Sequence, residues 1–143
     1  VVVKVLIRHL SEKFLCDAAL PPLSRLDKYF DYYVQHFENM DLRCGCPIGN
    51  LMQEMSDLSE AFREKIGSIY DDICSLIQQC IADAQQTGDI PNDIDAGVAA
   101  QYIFDSWEGA VMHMKLAKSA GPLINYKKML FTTLLKPQVQ PDA

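Results

Sequence analysis

The sequence predicts an all-α fold of about six helices, and three observations predict it. Apolar residues recur at alternating steps of three and four in one window after another. No window sustains the period-two alternation that a half-buried strand needs. Between the periodic windows stand Pro- and Gly-containing punctuation marks, at Pro21-Pro22, at Gly45 to Pro47, at Gly88 to Pro91 and at Gly121-Pro122.

The first helix carries Leu6, Leu10 and Phe14. Its opening run, Val-Val-Val-Lys-Val-Leu-Ile, is too short for a membrane span and has no cleavage signature. The lack of an initiator Met points to a chain that begins inside a longer protein. The two prolines then suit the start of a second helix, whose stripe of Leu23, Leu26, Phe30, Tyr33, Phe37 and Met40 is the clearest in the chain. A short third helix is expected from Pro47 to Met55, with Ile48, Leu51, Met52 and Met55 on its inner side. The fourth is long, announced by Asp57 or Ser59 as cap and Glu60 at the positive helix start. It carries Phe62, Ile66, Ile69, Ile73, Leu76, Ile77, Cys80 and Ala84 until Gly88 stops it. Residues 89–95 read as a turn in which Asp95 caps the fifth helix, which runs through Ala99, Ile103, Trp107, Ala110, Val111 and Met114. That helix ends near Lys118, with Gly121 available for a left-handed backbone; a sixth begins at Pro122 and spans Leu123, Tyr126, Leu130 and Leu134.

A chain of 143 residues that is 49% hydrophobic buries one core, which gives a single domain over 1–136 and a disordered tail over 137–143. The net charge of -6 argues against gripping a polyanion. Five cysteines are an odd number without a disulfide framework, so reduced thiols and a cytoplasmic setting are expected.

The chemistry concentrates at residues 43–50, Arg-Cys-Gly-Cys-Pro-Ile-Gly-Asn. Pro47 at the first helical position makes Cys46 the cap residue, facing orphan amides and the positive helix end, a placement that lowers a thiol pKa. The alternative is a small buried cysteine that packs like Ala. Cys44 is either an exposed spectator or a resolving partner for oxidised Cys46. Cys16, Cys74 and Cys80 read as helix or core thiols. A Cys-x-Cys pair supplies two metal ligands, and His9, His36 and His113 stand on separate helices, so no metal and no cofactor are expected. Lys115, in the last turns of the fifth helix, is either a solvated partner of the helix dipole or a residue at a pocket edge, two turns from Glu108. The aromatic and Met stripe is either core or pocket, with Tyr33, Trp107, Tyr70, Asn50 and Gln53 as the expected liners. There is no Ser-His-Asp set, no glycine-rich phosphate loop and no convincing carboxylate pair. A thiol enzyme using Cys46 lacks a nearby base, so the chain is not expected to be an enzyme.

Across nearly its whole length the chain resembles the ligand-binding and dimerisation domain of TetR-family transcriptional repressors, nearest to members that sense electrophiles. The residues that carry the likeness are Gly45 and Cys46, Glu54 and Asp57, Ala84 through Ile90, then Trp107, Gly109, Ala110, Lys115, Ser119, Pro122 and Leu123. The resemblance implies a domain that binds a small apolar or electrophilic inducer, with Lys115 beside Cys46 favouring its thiolate. It also implies that operator DNA is met only through an amino-terminal helix-turn-helix that this chain lacks. A homodimer is expected through a four-helix bundle of the fifth and sixth helices, carried by Ala99, Ile103, Leu123, Tyr126, Leu130 and Leu134.

Overall fold

The computed structural model describes residues 2–137; the side chain of Leu6 and the tail from 138 to 143, both invoked above, lie outside the described residues. Six α-helices follow one another as α1 (Val2–Leu15), α2 (Pro22–Asn39), α3 (Pro47–Met55), α4 (Glu60–Gln86), α5 (Ala96–Ala117) and α6 (Gly121–Met129). A π-helical turn, Leu130–Leu134, continues α6, and no strand occurs among the described residues.

The helix ends are set by local chemistry. Ser59 accepts from the Phe62 amide at 3.3 Å and Asp95 from the Val98 amide at 2.8 Å, so each satisfies a donor that the first turn leaves orphaned. Pro22 and Pro47 sit at the first positions of α2 and α3. Gly88 takes φ 79 and lets the Asp89 amide return to the Ala84 carbonyl at 2.8 Å, closing α4. The end of α5 differs from expectation: Lys118, at φ 51, is the left-handed residue, and Gly121 opens α6. The one-residue polar step after Lys118 turns the chain before Gly121 is reached, and the Gly121 amide donates to the Ser119 hydroxyl at 3.1 Å.

Helix α4, 27 residues and about 40 Å long, is the shared wall, with α1, α2, α3 and α5 all packed against it. Its buried column of Ile66, Ile69, Ile73, Ile77, Ile81 and Ala84 meets Leu26 and Phe30 of α2 and Ala100, Ile103 and Phe104 of α5 in one core. Phe30, Trp107 and Tyr126 form a ring cluster with centroids 4.6 to 5.5 Å apart, which ties α2, α5 and α6 together. Arg25 fastens the start of α2 to α4, with its guanidinium 2.9 Å from Asp83 and a second bond to the Leu20 carbonyl. Lys127 of α6 bridges Asp27 and Asp31 of α2. No helix among the described residues is long and apolar enough to cross a membrane.

Four of the six expected interface residues lie inside the chain's own core. Ala99, Ile103, Leu123 and Leu130 are buried within the single chain, and Tyr126 and Leu134 are half-buried against the same core. Period counting found the inward stripe of α5 and α6, which the monomer itself consumes. The outward apolar residues on these helices are Val98, Tyr102, Met112, Leu116, Ile124 and Met129. On α5 they recur in steps of four, or of seven counted through Asp105 and Gly109, which marks a single face. Among the cysteines, Cys74 and Cys80 are buried as expected, whereas Cys16 is exposed just beyond α1. Within α3 only Ile48 is fully buried, while Leu51, Met52 and Met55 are partly covered.

Between α2 and α3 the backbone makes a tight reversal in which Asp41 and Leu42 both adopt positive φ, 54 and 56. The Leu42 amide donates to the Phe37 carbonyl at 2.9 Å. This reversal delivers Cys44, Gly45 and Cys46 beside the last turns of α2 and the middle of α5.

Candidate functional site

A cavity of about 240 Å³ lies where α2, α3, α4 and α5 meet, with Ile7 of α1 at its edge. Helix α2 contributes Tyr29, Tyr33 and Phe37 at steps of four, which is why one helix face can present three rings. Phe104 and Trp107 come from α5, Ile73 from α4 and Ile48 from α3. Tyr29 and Tyr33 pack edge to face with centroids 5.1 Å apart, so the aromatic wall is held rigid.

Two polar groups face each other inside this apolar shell. The Cys46 thiol, at the N-cap of α3, hydrogen-bonds to the Glu108 carboxylate of α5. Glu108 keeps its other oxygen, Oε1, buried without a hydrogen-bond partner. Burial pushes the Cys46 thiol up from 9.0 to about 12, and the Glu108 charge adds to the effect. The amides of Gly49 and Ile48 pull it down, as a helix start should, but do not win. The expected low-pKa thiol is therefore corrected: Cys46 rests protonated. Burial likewise raises the Glu108 carboxyl above its ordinary range, with the nearby Asp105 charge adding to the rise and the Cys46 hydrogen bond opposing it. Burial raises the Tyr33 hydroxyl to about 12, with Cys46 as a second cause.

Of the residues expected from sequence, Cys46, Tyr33 and Trp107 line the cavity together, and Cys44 joins them. The others stand off. Asn50 packs against the Gly45 backbone; Gln53 is exposed and reaches Gly49 and Met112. Tyr70 donates to Asp105 at 3.0 Å and presses edge-on against Phe104, behind the wall. Lys115 is exposed in the last turn of α5 and lines no part of the cavity. It shares a helix face with Glu108, but seven residues place it about 10 Å further along the axis. Glu108 thus occupies the level at Cys46 that the sequence reading gave to a lysine. Sequence reasoning missed Glu108, Tyr29 and Phe104. A carboxylate set between Trp107 and the run Gly109, Ala110, Val111 and Met112 was the available signal for the first. Among the described residues no group of three or more His, Cys, Asp or Glu is arranged to hold a metal.

A family model described as the C-terminal domain of tetracyclin repressor-like proteins matches residues 22–130. The chain belongs to that family. The match runs from the first turn of α2 to the first residue of the π-helical turn, so this TetR-like domain carries every cavity residue except Ile7 inside the matched span. It is 33% identical over 119 residues to the HTH-type transcriptional repressor DhaR of Mycobacterium sp. (strain GP1), a match covering 83% of this chain and 58% of DhaR. It is 31% identical over 121 residues to the transcriptional regulator AcuR of Cereibacter sphaeroides, covering 85% of this chain and 55% of AcuR. The TetR-like domain thus spans somewhat more than half the length of these relatives. Its fold superposes on a crystal structure of regulatory protein TetR from Rhodobacter sphaeroides with a TM-score of 0.84 and 27% identity, over 88% of this chain and 67% of the other.

Proposed function

We propose that this chain is the effector-sensing and dimerisation domain of a TetR-family transcriptional repressor. A small, largely apolar or electrophilic inducer enters the cavity beside Cys46. Two chains join as a homodimer through α5 and α6, and the inducer releases the full-length repressor from operator DNA, which it grips through an amino-terminal domain outside this chain. The setting is the cytoplasm, in keeping with five free thiols.

The observation that carries this reading is the two-sidedness of α5. Phe104, Trp107 and Glu108 face the cavity, while Val98, Tyr102, Met112 and Leu116 stand exposed on the other side of the same helix. An occupant that shifts the inner residues moves the outer ones with them, because a packed helix moves as a body. The exposed apolar face needs cover, and a second copy of the same face supplies it with two-fold symmetry. A thiol enzyme is a poorer fit, since Cys46 is held protonated and the Glu108 charge beside it opposes formation of the thiolate nucleophile. The deciding experiment is operator retardation by the full-length repressor with and without ligands that occupy the cavity. Release by such ligands, and its loss when Trp107 is replaced by a smaller residue, is the expected result. Indifference of the complex to every cavity ligand would refute the reading.

A further inference from the structure

Whether an inducer binds here is one question; what the cavity asks of its head group is another, and the second rests on the sensing role just proposed. Glu108 Oε1 is a buried acceptor with nothing donating to it. Such a group is costly to bury, and it is retained here in the wall of a cavity where an occupant can reach it. A carboxylate oxygen accepts only, so the missing partner is a donor. The space for the carboxylate is also reserved. A Cβ added at Gly49 would collide with the Glu108 carboxylate, so α3 carries no side chain at the one place where the carboxylate needs room.

The rest of the wall selects the charge of that donor. No lysine or arginine stands among the described residues lining the cavity, and His36 is exposed to solvent, so an anionic head would meet Glu108 without a counter-charge. The rings of Tyr29, Tyr33, Phe37, Phe104 and Trp107 instead present the surfaces that favour a cation beside an apolar body. A volume of about 240 Å³ lies below that of pockets for drug-sized molecules, which suits one ring or a short chain.

We infer that the cavity recognises a small amphiphilic amine, its ammonium donating to Glu108 and its apolar body lying against the aromatic rings, with Glu108 as the specificity-determining residue.

Trp107, the chain's single tryptophan, lines the cavity and reports occupancy by its fluorescence. The chain is titrated with benzylamine, benzyl alcohol and benzoate, which share one body and differ in the head. Benzylamine is expected to bind about 10-fold more tightly than the alcohol, with benzoate weakest. Glu108→Gln is expected to erase the preference for the amine. Gly49→Ala, which pushes the carboxylate aside, should reduce the preference in the same direction; thermal melts confirm that both variants are folded. Benzoate binding as well as benzylamine, or an unchanged amine preference in Glu108→Gln, overturns the inference. If all three bind alike, the head-group inference falls while the cavity remains a binding site. If none perturbs Trp107, the inference and the sensing role fall together.

Discussion

Removing the charge at Glu108 should wake the Cys46 thiol. In the native domain burial and the adjacent carboxylate hold this thiol near 12 instead of 9.0. Three pK units leave roughly a thousandfold less thiolate at neutral pH, and only the thiolate attacks alkylating agents. Glu108→Gln removes the second of the two causes and keeps the first. It should therefore speed alkylation by about tenfold, the effect of roughly one pK unit, without reaching the rate of an ordinary thiol. The assay is a pH series of iodoacetamide rates in a Cys44→Ser background, with fragment mass spectrometry separating Cys46 from exposed Cys16. Native Cys46 should label more slowly than Cys16, and its rate should rise with each pH unit to about pH 10 without a plateau. Lys115→Met should change nothing, because Lys115 is exposed and absent from the cavity wall. A native Cys46 that outpaces Cys16, or that plateaus below its ordinary 9.0, would refute the reasoning, as would indifference to Glu108→Gln.

Light scattering should give about twice 16.1 kDa for the native chain, whereas Met112→Asp with Leu116→Asp should give the monomer, since both side chains are exposed on the outer face of α5. A native monomer at micromolar concentration would overturn the assembly. Arg25→Met should cost roughly 1–3 kcal/mol by leaving Asp83 half-buried without its ion-pair partner, and the thermal midpoint should fall by several degrees, with Gln79 the remaining donor to Asp83 among the described residues. Lys127→Met should cost about 1 kcal/mol, measured by urea unfolding. Burial works against the Lys127 charge, but Asp31 and Asp27 outweigh it and raise the pKa above 10.5. With the folded pKa raised, this contribution is fully present below 10.5 and is lost as pH climbs through the higher folded value, so the difference between native and Lys127→Met should vanish only in strong alkali.

Helix phase and helix ends were legible in the sequence because both depend on neighbours a few residues away. Ser59, Asp95, Pro22 and Pro47 act within one turn of where they stand. The stripe of α2 was legible for the same reason. What periodicity does not reveal is which of two apolar faces a monomer consumes. On α5 it favoured Ala99 and Ile103, the more continuous stripe, and a continuous stripe is what the chain's own core takes. The site was half legible. Cys46, Tyr33 and Trp107 announced themselves by residue type and position, but the electrostatics of Cys46 depend on Glu108, which is 62 positions distant in sequence. A helix start acting alone would have lowered that thiol; burial in the cavity wall, with the Glu108 charge adding to it, reverses the sign.

The reversal at Asp41 and Leu42 makes the two sides of the cavity mechanically unequal. Two successive non-glycine residues in the left-handed region cost roughly 1–2 kcal/mol each. They are held there by the bond to Phe37 and by the packing of Leu42 against the core. One wall of the cavity belongs to α4 and α5, whose geometry is relaxed helix. The opposite wall, from Cys44 to Pro47, hangs from a spring already wound. An occupant that loosened Phe37 would draw on that tension, so the cheapest way for this cavity to change shape is for the Cys46 side to let go first.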